Sequence, residues 1–246
     1  MDKPLIWAHR GASNLAPENS MEAFSLAVEM KADGIELDVH LTSDGEIIVT
    51  HDETVNRCSN GKGLIADMTL EEIKRLDFSC NMEKYKNVKA PTLAEVYELI
   101  RPTGLTVNVE LKHGSKTYVG LEKKCAVLAR EMGMRDKVIY SSFNHNIFLE
   151  LKEAEPSARF APLYMEALVA PWQYALQIQA YAIHPYFPTM ETPGIMEGLQ
   201  EAGVLCNPWT VDTEDMLEWM AKLGVNAVIT NRVDLAKKVF YGTPEG

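Results

Sequence analysis

Seven polar residues in this chain have types and spacings that could carry acid–base chemistry on an anionic substrate: His9, Arg10, Glu36, Asp38, His51, Glu110 and Lys112. An imidazole titrates near ~6.5, so His9 and His51 can each give or accept a proton at neutral pH, and a pair suits chemistry across one bond. On a strand, residues two apart share a face, which groups Glu36 with Asp38 and Glu110 with Lys112. Three carboxylates at one mouth repel one another unless a cation lies between them. An all-oxygen ligand set without cysteine favours Mg²⁺ or Ca²⁺, with Mn²⁺ also suitable, over zinc. Arg10 offers a planar fork for phosphate or carboxylate, and Lys112 a point charge. Blander readings stand beside these: salt-bridged strand ends, satisfied structural histidines, and Lys112 as an ion-pair partner of Glu110.

The elements that must position these groups follow from the alternation of short apolar runs with amphipathic stretches. Eight strands are predicted, at Leu5–Ala8, Gly34–Val39, Thr106–Glu110, Lys137–Ser141, Arg159–Leu163, Ala180–Ile183, Val204–Cys206 and Ala227–Thr230. Helices between them have readable starts: Asn19 as a cap, capping boxes at Thr69-x-x-Glu72 and Thr92-x-x-Glu95, and Thr213 and Asn231 as further caps. Helical spacing also runs from Glu122 to Met132. Eight strand–helix units in about 250 residues predict an α/β fold, a (β/α)₈ TIM barrel, whose active site lies at the C-terminal strand ends. The Ser43-Asp44-Gly45-Glu46 turn predicts a hairpin into Ile47-Ile48-Val49. A small insertion after the second strand, at about 53–91, leaves 1–246 as a single barrel catalytic domain. Gly61-Lys62-Gly63-Leu64-Ile65-Ala66 matches a dinucleotide fingerprint only formally, because no strand precedes it.

Lys and Arg number 24 against 35 Asp and Glu, a net charge of −11, which argues against nucleic acid or an anionic membrane as partner. No run reaches the ~18 apolar residues of a membrane span, and Met1-Asp2-Lys3-Pro4 opens no signal peptide. Cys58, Cys80, Cys125 and Cys206 form no CxxC pair and no close Cys/His grouping, so reduced, buried thiols and a cytoplasmic location are expected. A frayed tail is expected at 243–246, and the oligomeric state is not readable.

The chain resembles the glycerophosphodiester phosphodiesterases. The resemblance rests on His9-Arg10-Gly11, Ala16-Pro17-Glu18-Asn19-Ser20, Glu36-Leu37-Asp38-Val39, Thr42-x-Asp44-Gly45 and His51-Asp52. It continues through Pro91-Thr92-Leu93-x-Glu95-Val96, Glu110-Leu111-Lys112, Ser141-Ser142-Phe143 and Trp209-Thr210-Val211. It implies a metal-dependent barrel enzyme that hydrolyses small glycerophosphodiesters to glycerol 3-phosphate and an alcohol. Glu36, Asp38 and Glu110 are then the expected metal ligands, and His9 and His51 the acid and base. Arg10 and Lys112 are expected to hold phosphate. Glu18 is expected at the mouth, supporting these groups or only charging a helix start, and Asp52 is expected to orient His51. Trp209 and Phe143 follow strand ends where they could face glycerol or the alcohol, although both also read as core packing. His184-Pro185-Tyr186-Phe187 could line the leaving-group pocket, and His40, His113 and His145 read as surface or loop residues. Asp212 departs from the Asn more usual in the family, which bears on specificity. A lysophospholipase D-like phosphodiesterase and a non-catalytic glycerophosphodiester binder are the alternatives.

Overall fold

The computed structural model describes residues 3–115 and 118–242; the expected tail at 243–246 and the first two residues lie outside them. In chain order the elements are β1 (Leu5–His9), α1 (Met21–Glu29), β2 (Gly34–Leu41), β3 (Ile47–Val49), α2 (Leu70–Arg75), α3 (Leu93–Ile100), β4 (Thr106–Leu111) and α4 (Leu121–Glu131). Then come β5 (Val138–Ser142), α5 (Ile147–Ala154), β6 (Arg159–Tyr164), α6 (Pro171–Ile178), β7 (Ala182–Pro185), α7 (Ile195–Glu201), β8 (Leu205–Cys206), α8 (Glu214–Leu223), β9 (Ala227–Thr230) and α9 (Val233–Tyr241).

The parallel strands run in the order β8-β7-β6-β5-β4-β2-β1-β9. Backbone hydrogen bonds then bring β8 to β9: Asn226 N donates to Cys206 O at 2.9 Å, Ile229 N to Pro208 O at 3.0 Å and Val211 N to Ile229 O at 3.0 Å. The fold is the predicted (β/α)₈ barrel. Residues alternate along each strand. On β2, Ile35, Leu37, Val39 and Leu41 join the core beneath the helices, while Glu36, Asp38 and His40 point to the other face, inside the ring. An apolar floor of Trp7, Ile139, Ala161, Ala182, Ala227 and Ile229 fills the barrel below these groups. Gly34 belongs to this packing, because a Cβ there would come within 2.9 Å of Trp7 Cδ1 and of Thr106 O.

Two capping boxes form as expected, with Thr69 and Thr92 accepting from the N–H of Glu72 and Glu95. Thr213 likewise caps α8. Two expected caps do not form. Ser20, not Asn19, accepts from Ala23 N at the start of α1, and the side chain of Arg232, the residue at the start of α9, makes no cap bond. Both asparagines are engaged in the site instead.

The hairpin sets the position of one histidine. Val39 pairs with Leu111 of β4 on one edge and with Val49 of β3 on the other. Because β1 pairs with β2 only as far as Glu36, antiparallel β3 occupies the edge that β1 leaves free and carries His51 out over the end of β1. The segment that follows has its own small core of Val55, Cys58, Ile65, Ile73, Phe78, Val88 and Ala90, joined by Ile48 of β3.

Candidate active site

The end of β1 turns sharply. Arg10 adopts φ +57°, a left-handed backbone that costs a residue with a Cβ on the order of 1–2 kcal/mol. Gly11 follows at φ +80°, where a Cβ would press to 2.7 Å of the Ala23 backbone. In this turn the Arg10 N–H donates to Glu36 Oε2 at 2.9 Å, and its guanidinium reaches back to Glu18 at 3.0 Å and to Asp38 at 3.5 Å.

Glu36, Asp38 and Glu110 converge, with one oxygen from each lying within 4.8 Å of the others. Glu36 is 3% and Asp38 1% exposed, so water can screen them only weakly. Burial, with Asp38 and Glu110 alongside, pushes the Glu36 carboxyl well above its usual range. Burial also pushes Glu110 up, and although Lys112 opposes this, it stands at about 7. For Asp38, burial is outweighed by Lys112, Arg10 and His51, which hold it far below the carboxylate range. Lys112 Nζ bridges Glu110 at 2.8 Å and Asp38 at 3.3 Å, so the expected ion pair exists, and it lies inside the site. Asn19 Nδ2 donates to Asp38 Oδ2 at 2.8 Å. Asn108 Oδ1 and Ser141 Oγ, both buried, have no hydrogen-bond partner, and Asp38 Oδ1 is the oxygen that Lys112 approaches at 3.3 Å.

The two histidines flank this cluster from different supports. His9 Nδ1 lies 2.7 Å from Asn231 Oδ1, and Asn231 in turn donates from Nδ2 to Asp212 at 2.6 Å and from its backbone N–H at 2.8 Å. Asp212 can only accept, so it turns the Asn231 amide oxygen toward His9; Nδ1 then carries the proton and Nε2 keeps a lone pair. Nε2 is 3.9 Å from Glu36. Burial, then Arg10, lowers the His9 pKa to about 4, so the ring is neutral at pH 7. His51 Nδ1 meets Asp52 at 2.7 Å. Asp52 is held down to about 2 first by its hydrogen bonds from Arg57. Arg57 pairs with Asp52 and Glu18, each at 2.8 Å, so Glu18 is shared between two guanidinium groups.

A cavity of about 90 Å³ is lined by His9, Arg10, Glu36, His51, Asn108, Glu110, Lys112, Phe143 and Trp209, among others. Phe143 and Trp209 meet edge to face on its wall, with centroids 5.6 Å apart. A larger groove of about 520 Å³, near Glu46, Thr92 and Lys124, contains none of these carboxylates or histidines.

Two sequence readings need correction. His40 is not a surface residue: β2 runs two residues further than predicted and buries it, with Nε2 3.0 Å from His51 O and Nδ1 2.8 Å from Tyr118. His184 is fully buried inside the barrel beside Asn207, at 3.1 Å, and does not line the cavity. His113 and His145 sit in loops as expected. The sequence does not mark Arg57, Asn19 and Asn231 as site residues. Asn19 had a signal, as part of the Ala16–Ser20 motif, whereas Arg57 stands in the insertion with no periodicity around it.

The burial of His184 has a measurable consequence. Burial lowers its pKa to about 3, so below the unfolded value of ~6.5 the unfolded chain binds a proton that the folded one refuses. Its contribution to stability is intact above that pH and falls by about 1.4 kcal/mol per unit as pH drops toward the folded value. In chelator, the loss of urea-derived stability from about pH 6.5 to about pH 4.5 should be smaller by about 2 kcal/mol in His184→Gln than in the parent. An equal loss in both would contradict a buried neutral imidazole.

Residues 9–235 match the family described as glycerophosphoryl diester phosphodiesterase. A glycerophosphodiester phosphodiesterase of Caldanaerobacter subterraneus subsp. tengcongensis is 45% identical, covering 93% of this chain and 94% of its own length. One from Bacillus altitudinis is 37% identical over 95% and 97%. Among solved structures, the Agrobacterium tumefaciens glycerophosphodiester phosphodiesterase superposes with TM-score 0.83 at 30% identity, covering 95% of this chain and 98% of that one. An Oleispira antarctica phosphodiesterase in complex with its product sn-glycerol-3-phosphate superposes with TM-score 0.88 at 26% identity, covering 96% of each. With the barrel and the strand-end residues in place, these matches settle the grouping: the chain belongs to the glycerophosphoryl diester phosphodiesterase family.

Proposed function

We propose that this chain hydrolyses small glycerophosphodiesters to glycerol 3-phosphate and an alcohol, using one divalent cation. The observation that carries the reading is the convergence of three carboxylates between two histidines in a chain of this family. The residues fit a cation on their own chemistry: two of the three carboxyls are pushed toward their neutral forms when nothing but protein faces them, and Asp38 Oδ1, fully buried, is approached by the Lys112 ammonium at 3.3 Å, a place a divalent ion could take. Glu36, Asp38 and Glu110 would hold the ion, and oxygen-only ligands favour Mg²⁺ or Ca²⁺, with Mn²⁺ next. Bound there, the cation would neutralise developing phosphoryl charge.

The chain's own groups do the rest. Arg10 and Lys112 hold the non-bridging oxygens. His9, neutral and with its Nε2 lone pair free, takes the proton from the attacking hydroxyl, either water or a neighbouring glycerol hydroxyl. His51, whose pKa is lowered by burial although Asp38 and Asp52 oppose this, gives a proton to the departing oxygen. Glu18 fixes Arg10 and Arg57, and Arg57 fixes Asp52. Phe143 and Trp209 pack on the glycerol or alcohol. The barrel with its 53–91 insertion works as one catalytic unit, and four free cysteines suit a cytoplasmic setting. No helix among the described residues is long and apolar enough to cross a membrane.

Glycerophosphocholine and glycerophosphoethanolamine should each release glycerol 3-phosphate. A cavity of about 90 Å³ suits a three-carbon polyol better than an acyl chain, so lysophosphatidylcholine should be turned over at least tenfold less efficiently, about 1.4 kcal/mol in the barrier. Preference for the lysolipid would replace this substrate class, and binding without turnover of any of the three would replace catalysis with a carrier role.

A further inference from the structure

The fold brings together two thiols that stand 22 positions apart in the chain. Cys58 Sγ, Cys80 Sγ and one oxygen of Glu18 lie within 4.8 Å of one another. The two cysteines are tied through the backbone, with Cys80 N donating to Cys58 O at 3.1 Å, and neither is in a disulfide. Cys125 and Cys206 are each fully buried in the main core, whereas Cys80 keeps partial contact with solvent. We propose that Cys58, Cys80 and Glu18 form a second cation site, for a thiophilic divalent ion such as Zn²⁺ or Cd²⁺, distinct from the all-oxygen cluster in the barrel mouth.

The geometry and the charge both suit this. A tetrahedral zinc centre with metal–sulfur near 2.3 Å and metal–oxygen near 2.1 Å spaces its ligand atoms by roughly 3.6–3.8 Å, so rotamer adjustments of about 1 Å close the present triad. Two thiolates and one carboxylate around a divalent ion leave one net negative charge. Arg57, the residue next to Cys58, already sits against Glu18 at 2.8 Å and supplies the balancing positive charge. Binding releases two protons, one from each thiol, as two metal–sulfur bonds form, and no redox step is involved. A water can complete the fourth position. Sulfur ligands separate this site chemically from Glu36, Asp38 and Glu110, which offer only oxygen. The two sites meet through Glu18, whose oxygens also receive Arg10.

The test is a titration of the full chain with Cd²⁺, in a phosphine reductant and with millimolar Mg²⁺ present to occupy oxygen ligands. The ultraviolet thiolate-to-cadmium charge-transfer band should rise and saturate at one Cd²⁺ per chain. It should vanish in Cys58→Ser and in Cys80→Ser, and persist in Glu36→Gln. In Glu18→Gln it should persist with affinity weakened about tenfold or more, the scale on which a weaker ligand or supporting group acts. Iodoacetamide labelling of the unmutated chain, read by mass spectrometry, guards against variants that fail to fold: Cd²⁺ should protect Cys58 and Cys80 together. No band, a band that survives either cysteine variant, or labelling of Cys58 and Cys80 that ignores Cd²⁺ would overturn the proposal. Because none of these readouts measures phosphodiester turnover, its failure leaves the proposed hydrolysis untouched.

Discussion

Turnover of glycerophosphocholine falls at least about 10²-fold in His9→Ala and in His51→Ala, while Mg²⁺ binding measured by calorimetry stays within a few-fold of the parent. Neither imidazole is among the three converging carboxylates, so the ion keeps its ligands in both variants. The two lesions differ in kind. His9 is locked by Asn231 with its Nδ1 proton committed, which leaves Nε2 to accept. His51 faces Asp52 at 2.7 Å, a carboxylate that orients the ring and partly offsets the lowering of its pKa by burial. A glycerophosphodiester whose alcohol is p-nitrophenol needs no proton on its leaving oxygen, so it should recover most of the activity of His51→Ala and little of that of His9→Ala. Recovery in the opposite variant would exchange the two roles, and near-parental turnover of glycerophosphocholine in either would remove that histidine from the chemistry.

Much of this site is legible in one dimension because a barrel puts its chemistry at strand ends. His9 ends β1, and the period of two on β2 and β4 correctly places Glu36 with Asp38 and Glu110 with Lys112. What escapes are residues whose local signature suits another task. Asn19 and Asn231 stand where a helix is about to begin, and an asparagine there reads as a cap. Neighbours can do that job, and Ser20 does it for α1, so Asn19 is spent on Asp38 and Asn231 on His9. Arg57 is invisible because its partners, Glu18 and Asp52, lie 39 and 5 positions away, and no short-range pattern links the three. His40 escapes because the turn after β2 comes two residues later than the apolar run suggests, which draws it inside. The thiol pair escapes for the same reason as Arg57: spacing rules for cysteines find only ligands close in sequence.

The largest expected loss comes from taking away the cation. Without it, Lys112 is the charge that lies among the carboxylates, 2.8 Å from Glu110 and 3.3 Å from Asp38, and Arg10 leans on Asp38 at 3.5 Å. Both cations that should hold phosphate are then occupied by protein carboxylates. A divalent ion between Glu36, Asp38 and Glu110 would meet those negative charges and leave Lys112 and Arg10 to the substrate. Chelation therefore removes two contributions together, the ion's own stabilisation of the phosphoryl group and the availability of the phosphate-holding side chains. Several kcal/mol of transition-state stabilisation correspond to a fall on the order of 10³-fold or more, and added Mg²⁺ or Ca²⁺ should restore the rate. Asp38→Asn should reproduce the fall and resist restoration, since it deletes the carboxylate that Arg10, Lys112 and Asn19 all address. The variant also leaves Arg10 and Lys112 with one fewer negative partner, so its KM for an anionic substrate should rise far less than its kcat drops. Full activity in excess chelator, or Asp38→Asn with parental turnover, would contradict a cation held by these carboxylates.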